Sequence, residues 1–309
     1  MIHLQSTRHD LISYDKIRTK EEYINHLMHR FAYEQAAKIC ANKTVLDLGC
    51  NTGFGTSLIS KLCTRIIGAD ISPRAIAKAK SQYQEKNLEF IHIDGNTIPV
   101  ADQTFDVILS FQVLEHIVDY GVFLGEIKRV LAPRGVVIMT TPNSKIRLDA
   151  GMPPWYPFHV REFSSDELQA LLLNYFSHVR VFGLLAEKTL YAIEINRLNR
   201  VRESFRRRSQ AKNSLRGAIR ERIDKLIPAQ YIFNLKRVFT VIQNRILKTD
   251  SPFTISNDFI DRHSTADLFY TADNLESALD LLAICSTDKF VQDIVTRSIL
   301  ENQVNSPST

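Results

Sequence analysis

The stretch VLDLGCNTGFGT, Val45 to Thr56, decides the fold. Thr44–Leu48 is a short β-rich run that stops at Gly49, and the pattern beyond it is helical to about Cys63. Glycines at such a junction let the backbone turn tightly and bring helix N–H groups against a nucleotide-like ligand. A plain strand–helix turn is the other reading of a lone glycine motif. Two features sharpen the first one. Asp47 stands two residues before Gly49, and the Lys of a phosphate-gripping loop is missing, so the turn suits a ligand carrying an ammonium better than a pyrophosphate. Asp70 closes the next β-rich run, where a carboxylate can accept both hydroxyls of a ribose.

Working outward, short apolar runs alternate with helical ones. Lys20–Cys40 is helical, with Tyr23, Leu27, Phe31 and Ala32 near one face. Arg65–Asp70 is followed by Ser72-Pro73, an N-cap with proline at the first helical position, and a helix to about Tyr83. Leu88–Ile93 and Phe105–Ser110 read as strands, Tyr120–Leu131 as a helix and Val136–Thr140 as a strand. This alternation predicts a doubly wound, Rossmann-like α/β sheet. Ser164 with Glu167 forms a capping box opening another helix, and Val179–Leu185 is again strand-like. The late run Leu279–Cys285 is expected to rejoin the sheet beside it. The expected organisation is a helical cap over 1–42, a core over 43–188, a basic helical insertion over 189–275, a last core strand over 276–288 and a polar tail over 289–309.

The formal net charge of +5 conceals a segregation. Between Asn196 and Lys248 stand 15 Lys/Arg and three acids, a local net of +12, which leaves −7 for the rest. Such a block suits a separate unit that meets an anionic membrane surface or RNA phosphates, or that serves as a solvated helical lid or dimer contact. Leu215–Leu226 and Tyr231–Ile246 carry helical apolar spacing within it. Four scattered cysteines argue against a disulfide scaffold or a cysteine-based zinc site and suit a reducing compartment. The start lacks a secretory pattern and no apolar run approaches a membrane span. The expected location is cytoplasmic, with surface contact to an anionic membrane as one use of the basic block.

VLDLGCNTGFGT, IIGADIS, FIHIDG, FDVILSFQVLEHI, FLGEIKRVLAPRGVVIMTTPN and FHVREFSSDELQALL, in that order, resemble class I S-adenosylmethionine-dependent methyltransferases over roughly residues 25–187. The resemblance implies a seven-stranded sheet ending in an antiparallel pair. It also implies that Asp47, Gly49, Cys50, Asn51 and Gly53 cradle the methionine part of S-adenosylmethionine. Asp70 and Ile71 would hold the ribose, Asp94 and Gly95 would face the adenine, and Ser110 would complete the cofactor site. Two positions depart from the family pattern: Asn51 stands where the loop usually has Gly, and Arg134 replaces the first Gly of a PGG turn.

QVLEHI and TPN…FHVREF are similar to bacterial enzymes acting on glycans and small hydroxylated molecules. More distantly, ubiquinone-pathway and small-RNA 2′-O-methyltransferases carry an ExxEH segment that binds a divalent metal. The matching positions are Gln112, Glu115 and His116, with His159 as a further ligand. Mg²⁺ or Mn²⁺ there would lower the pKa of an acceptor hydroxyl. Gln112 replaces an acid and removes one charge. Without a metal, His116 or His159 can serve as general base; a purely structural role is the remaining alternative. Trp155, Tyr156 and Phe158 could form a dry lid or simply pack. The expected activity is O-methylation of a sugar-like, glycan or lipid-linked hydroxyl. RNA ribose 2′-O-methylation and a catalytically silent cofactor-binding partner stand as alternatives.

Overall fold

The computed structural model describes residues 17–212 and 255–300, except for the side chains of 208–212. The helices expected around Leu215–Leu226 and Tyr231–Ile246 lie outside the described residues.

Helix α1, Lys20–Cys40, opens on a capping box in which the Thr19 side chain accepts from the Glu22 N–H and Glu22 reaches back to the Thr19 N–H. After it come β1 (Thr44–Leu48), α2 (Phe54–Ser60), β2 (Arg65–Asp70), α3 (Pro73–Gln82), β3 (Leu88–His92), β4 (Phe105–Phe111), α4 (Tyr120–Val130) and β5 (Leu131–Pro142). The first five strands are parallel, as the alternation with helices requires. Short α5 (Ser144–Arg147) and α6 (Ser165–Leu173) precede β6 (His178–Ala186) and α7 (Lys188–Lys212). Beyond the undescribed stretch follow α8 (Asn257–Arg262), β7 (Leu268–Thr271), β8 (Asp280–Ser286) and α9 (Lys289–Leu300).

The sheet order is β3-β2-β1-β4-β5-β8-β6-β7. Strand β8 does rejoin the sheet beside β6, and it lies antiparallel to both β5 and β6. The sheet has eight strands, not seven. The additional one, β7, pairs antiparallel with the outer side of β6. Its four residues LFYT bury only Leu268 and Tyr270, too few alternations for a strand to stand out in the sequence. The sheet therefore resumes inside the 189–275 segment expected to be insertion. That segment also begins within the core, because Leu190 and Leu198 of α7 are buried. The expected tail is corrected as well. Residues 289–300 form α9, which packs over β8 through Val295 and Ile299. Its polar Gln292 is buried too and donates to the Ile284 carbonyl at 3.3 Å, so the apolar stripe is broken in sequence though continuous in burial.

Alternate residues of the strands fill two cores. Val45, Ile66, Val107 and Val136 face α1, α2 and α9, whereas Leu46, Ile67, Ile108 and Val137 face α4 and α6. Both family departures sit in left-handed backbone, Asn51 at φ 48° and Arg134 at φ 64°. Asn tolerates that region and Arg pays a modest cost for it. Among the described residues, no helix is long and apolar enough to cross a membrane.

The arginines of α7 described in side-chain detail turn largely onto this body. Arg200 pairs with Glu21 of α1 at 2.6 Å, and Arg206 binds Asp149 through two contacts of 2.6 and 2.7 Å. Part of the positive charge read as a partner-binding block is thus matched within the fold.

Candidate functional site

A cavity of 740 Å³ opens at the carboxyl ends of β1, β2, β4 and β5, within the range of small-molecule sites. Ligands gather there in open α/β sheets because the helix N-termini and strand-end loops converge on that edge. One end is built from the glycine turn. Gly49, Cys50 and Asn51 line it together with Asp70, Ile71 and Gly95, six of the residues expected to meet the cofactor. Gly49 takes φ +88°, and an added Cβ would come within 2.3 Å of Val113 Cγ2, so this turn requires glycine. Asp70 accepts from the Asn51 N–H and the Ser72 N–H, both at 2.8 Å, which fixes its carboxylate at the cavity wall. Burial raises its pKa against those bonds.

Four expected cofactor residues are placed elsewhere. Asp47 is buried beneath the turn, where it accepts from Thr56 Oγ1 at 2.6 Å and from the Tyr33 hydroxyl at 3.1 Å. Burial pushes it up to about 6 against these hydrogen bonds. Through these protein partners it braces the turn from beneath. Asp94 is exposed, and its Oδ1 accepts from the Asn96 and Thr97 N–H groups at 2.8 and 2.9 Å, which hold its pKa down. The carboxylate thereby shapes the loop whose Gly95, Asn96, Thr97 and Ile98 form the cavity wall. Gly53 lies off the wall as the left-handed N-cap of α2, with Phe90 where a Cβ would stand. Ser110 is buried inside β4.

The other end of the cavity holds Glu115, His116 and His159. The short turn Leu114–His116 after β4 and the proline-rich loop before α6 bring them together. The Val160 N–H donates to the Glu115 carbonyl at 2.7 Å and staples these two segments. One ligand atom from each of the three lies within 4.8 Å of the others. Glu115 is buried, accepts from Thr141 Oγ1 at 3.0 Å and is pushed up to about 8 by burial. The two histidine rings meet edge to face, centroids 4.8 Å apart. Gln112 does not join them. Its amide donates to Asp280 Oδ2 at 3.0 Å and to Thr140 Oγ1 at 3.3 Å, turning away toward β8.

Trp155, Tyr156 and Phe158 line the same end, Tyr156 packing on His159. The guanidinium groups of Arg147 and Arg197 lie 4.4 and 5.8 Å from the Trp155 ring centroid. Among the described residues the buried indole Nε1–H has no hydrogen-bond partner, a donor left over for a polar ligand. Tyr33, Arg147, Arg197 and Glu162 escaped sequence reasoning. Tyr33 sits on the apolar face of α1 like any core aromatic, Arg197 is one of many in a basic run, and Glu162 stands inside FHVREF with no spacing to mark its role.

Residues 46–139 match the methyltransferase domain family. The chain is 37% identical over 145 residues to a probable S-adenosylmethionine-dependent methyltransferase of Mycolicibacterium smegmatis, covering 47% of this chain and 55% of that protein. It is 37% identical over 101 residues to a ubiquinone biosynthesis O-methyltransferase of Bradyrhizobium diazoefficiens, covering 32% and 40%. The chain thus spans about half the length or less of these curated relatives. A solved S-adenosylmethionine-dependent methyltransferase from Aquifex aeolicus superposes with a TM-score of 0.42 at 23% identity, over 54% of this chain and 92% of that one. The chain carries a class I S-adenosylmethionine-dependent methyltransferase domain.

Proposed function

We propose that the protein transfers the methyl group of S-adenosylmethionine to a hydroxyl of a sugar-like, glycan or lipid-linked acceptor. The observation that carries this reading is the two-ended cavity: a glycine turn with Asp70 at one end, and two histidines with a buried glutamate at the other. Gly49, Cys50 and Asn51 would hold the methionine part, Asp70 the ribose, and the Gly95–Ile98 loop the adenine. The cofactor supplies an activated methyl on sulfonium. When bound, it would give that methyl to the acceptor oxygen, and a histidine nitrogen at the other end of the cavity would accept the acceptor's proton. The protein's share is alignment, exclusion of water and acceptance of that proton. An O-directed reaction is supported by the imidazoles, since a hydroxyl is the nucleophile that needs its proton removed, and by the name of the ubiquinone biosynthesis relative.

The close approach of Glu115, His116 and His159 favours one variant of this reading. These three would hold Mg²⁺ or Mn²⁺, whose chemistry there is to acidify the acceptor hydroxyl.

Asp70→Ala is expected to weaken S-adenosylmethionine binding by roughly 1.5–3 kcal/mol, the scale for lost charge-assisted hydrogen bonds. Calorimetry showing an unchanged affinity would remove Asp70 from the cofactor site. Incubation of the protein with methyl-labelled cofactor and pooled cell glycans, lipids and RNA, followed by fractionation, tests the acceptor. Label is expected in the glycan or lipid fraction as an alkali-stable ether. Label in RNA establishes the ribose reading instead, and cofactor binding without transfer to any fraction establishes a silent partner.

A further inference from the structure

We propose that Glu162, backed by Arg147, is the positioning residue that fixes the His159 ring with Nε2 free to meet the acceptor hydroxyl. This rests on the O-methyl transfer reading above and deepens it. Glu162 Oε1 lies 2.7 Å from His159 Nδ1. An ionised carboxylate only accepts, so Nδ1 carries a proton, and in the neutral imidazole Nε2 is then the nitrogen with the lone pair. Arg147 grips the same carboxylate with two bonds, Nε to Oε2 at 2.8 Å and Nη2 to Oε1 at 3.1 Å. The Glu162 side chain is wholly buried and that of Arg147 is 11% exposed. The planar fork thereby holds the carboxylate in one orientation.

Arg147 is itself held. It ends α5 at the outlet of β5, and its guanidinium lies against Trp155. The segment bearing His159 and Glu162 is tied to the sheet by the Val160 N–H on the Glu115 carbonyl and by the Ser144 N–H on the Phe163 carbonyl at 2.9 Å. The links from Arg147 through Glu162 to the imidazole are therefore short polar contacts within a packed wall.

His116 provides the contrast. Its Nδ1 lies 2.9 Å from the neutral Phe158 carbonyl, and the Glu115 carboxyl stands 3.9 Å from its Nε2. An imidazole that takes up a proton becomes a cation, and a carboxylate on its far nitrogen stabilises that cation where a neutral carbonyl does so weakly. Of the two rings, His159 is the one whose Nδ1 meets a carboxylate at hydrogen-bond distance, 2.7 Å, which fixes the ring and leaves Nε2 for the acceptor hydroxyl. The ion pair alone does not account for the arrangement, because a buried Arg–Glu pair contributes little net stability over an apolar replacement.

The test uses the full chain with ¹⁵N-labelled histidine and S-adenosylhomocysteine bound. The wild type is expected to show a downfield, slowly exchanging Nδ1 proton that disappears in His159→Asn. Glu162→Gln is expected to move that proton upfield and speed its exchange. In the same variant kcat for methyl transfer to the labelled fraction should fall about 100-fold or more, with KM for S-adenosylmethionine unchanged. Should the single variant fail to fold around an unpaired Arg147, Arg147→Met/Glu162→Gln leaves a neutral pair and is expected to give the same two changes. A wild type without the downfield proton, a proton unmoved by the Glu162 variants, or transfer undiminished in them overturns the proposal. A wild type that methylates no fraction fails the proposed function instead, and the proton signature then decides whether Glu162 positions His159.

Discussion

A chain ended after Ala186 does not fold to a soluble, cooperative domain. The reason is the place of β8, which enters the sheet last in sequence but lies between β5 and β6. It pairs along seven residues with each neighbour, from Asp280 to Ser286. Without it, the sheet's central parallel part and its β6 margin lose the strand that joins them, and two long strand edges are left open to other chains. Leu281, Leu282 and Ile284 are almost fully buried, each contributing roughly 1.5–3 kcal/mol of apolar burial. Set against the usual total of about 5–15 kcal/mol, the loss of these three with the ladder exceeds what a domain can spare. Expression of the 1–186 chain should yield aggregate or a species without a thermal transition by circular dichroism. A soluble 1–186 chain with a sharp melt would show that β8 is dispensable.

That strand was also the most telling part of the sequence. LDLLAIC is short and apolar, and its return to the sheet beside β6, almost a hundred residues later, agrees with the antiparallel pair that the family resemblance implies. The parallel half of the sheet was readable because its signals are local: a glycine turn after Leu48, an acid closing β2, Ser72-Pro73 opening α3. What escaped was what depends on tertiary partners. Whether Asp47 meets a ligand or a tyrosine is decided by Tyr33, which arrives from α1 and accepts no sequence-level description beyond a core aromatic. The family resemblance implies that Asp94 faces the adenine, and in the structure its Oδ1 accepts from the N–H groups of its own loop. Glu162 had the opposite fate. No spacing in FHVREF marks it, and burial with Arg147 and His159 is what gives it meaning. Local chemistry predicted the turn; side-chain partners decided which acids face the cavity.

Variants at the acceptor end should separate turnover from cofactor binding. Glu115→Gln, His116→Ala and His159→Ala are each expected to lower methyl transfer by about 10²–10⁴-fold, the range for losing a group that handles the proton or a ligand of a metal that acidifies it. Affinity for S-adenosylmethionine should be unchanged in all three, because the cofactor's wall runs through Gly49, Asn51, Asp70 and Gly95 at the other end of the cavity. Glutamine at 115 keeps the shape and leaves Thr141 an acceptor, so the first variant tests chemistry and not a void. EDTA then distinguishes the two routes. Activity abolished by EDTA and restored by Mg²⁺ or Mn²⁺ assigns Glu115, His116 and His159 as ligands. Activity indifferent to EDTA leaves the proton to an imidazole, and the buried Glu115, held protonated by burial that pushes it to about 8, becomes a neutral donor in the wall. The measurement is initial rate of label transfer beside calorimetric cofactor affinity. Full activity in all three variants would make the cluster a piece of architecture, a turn and a loop stapled together, with the acceptor bound elsewhere in the cavity.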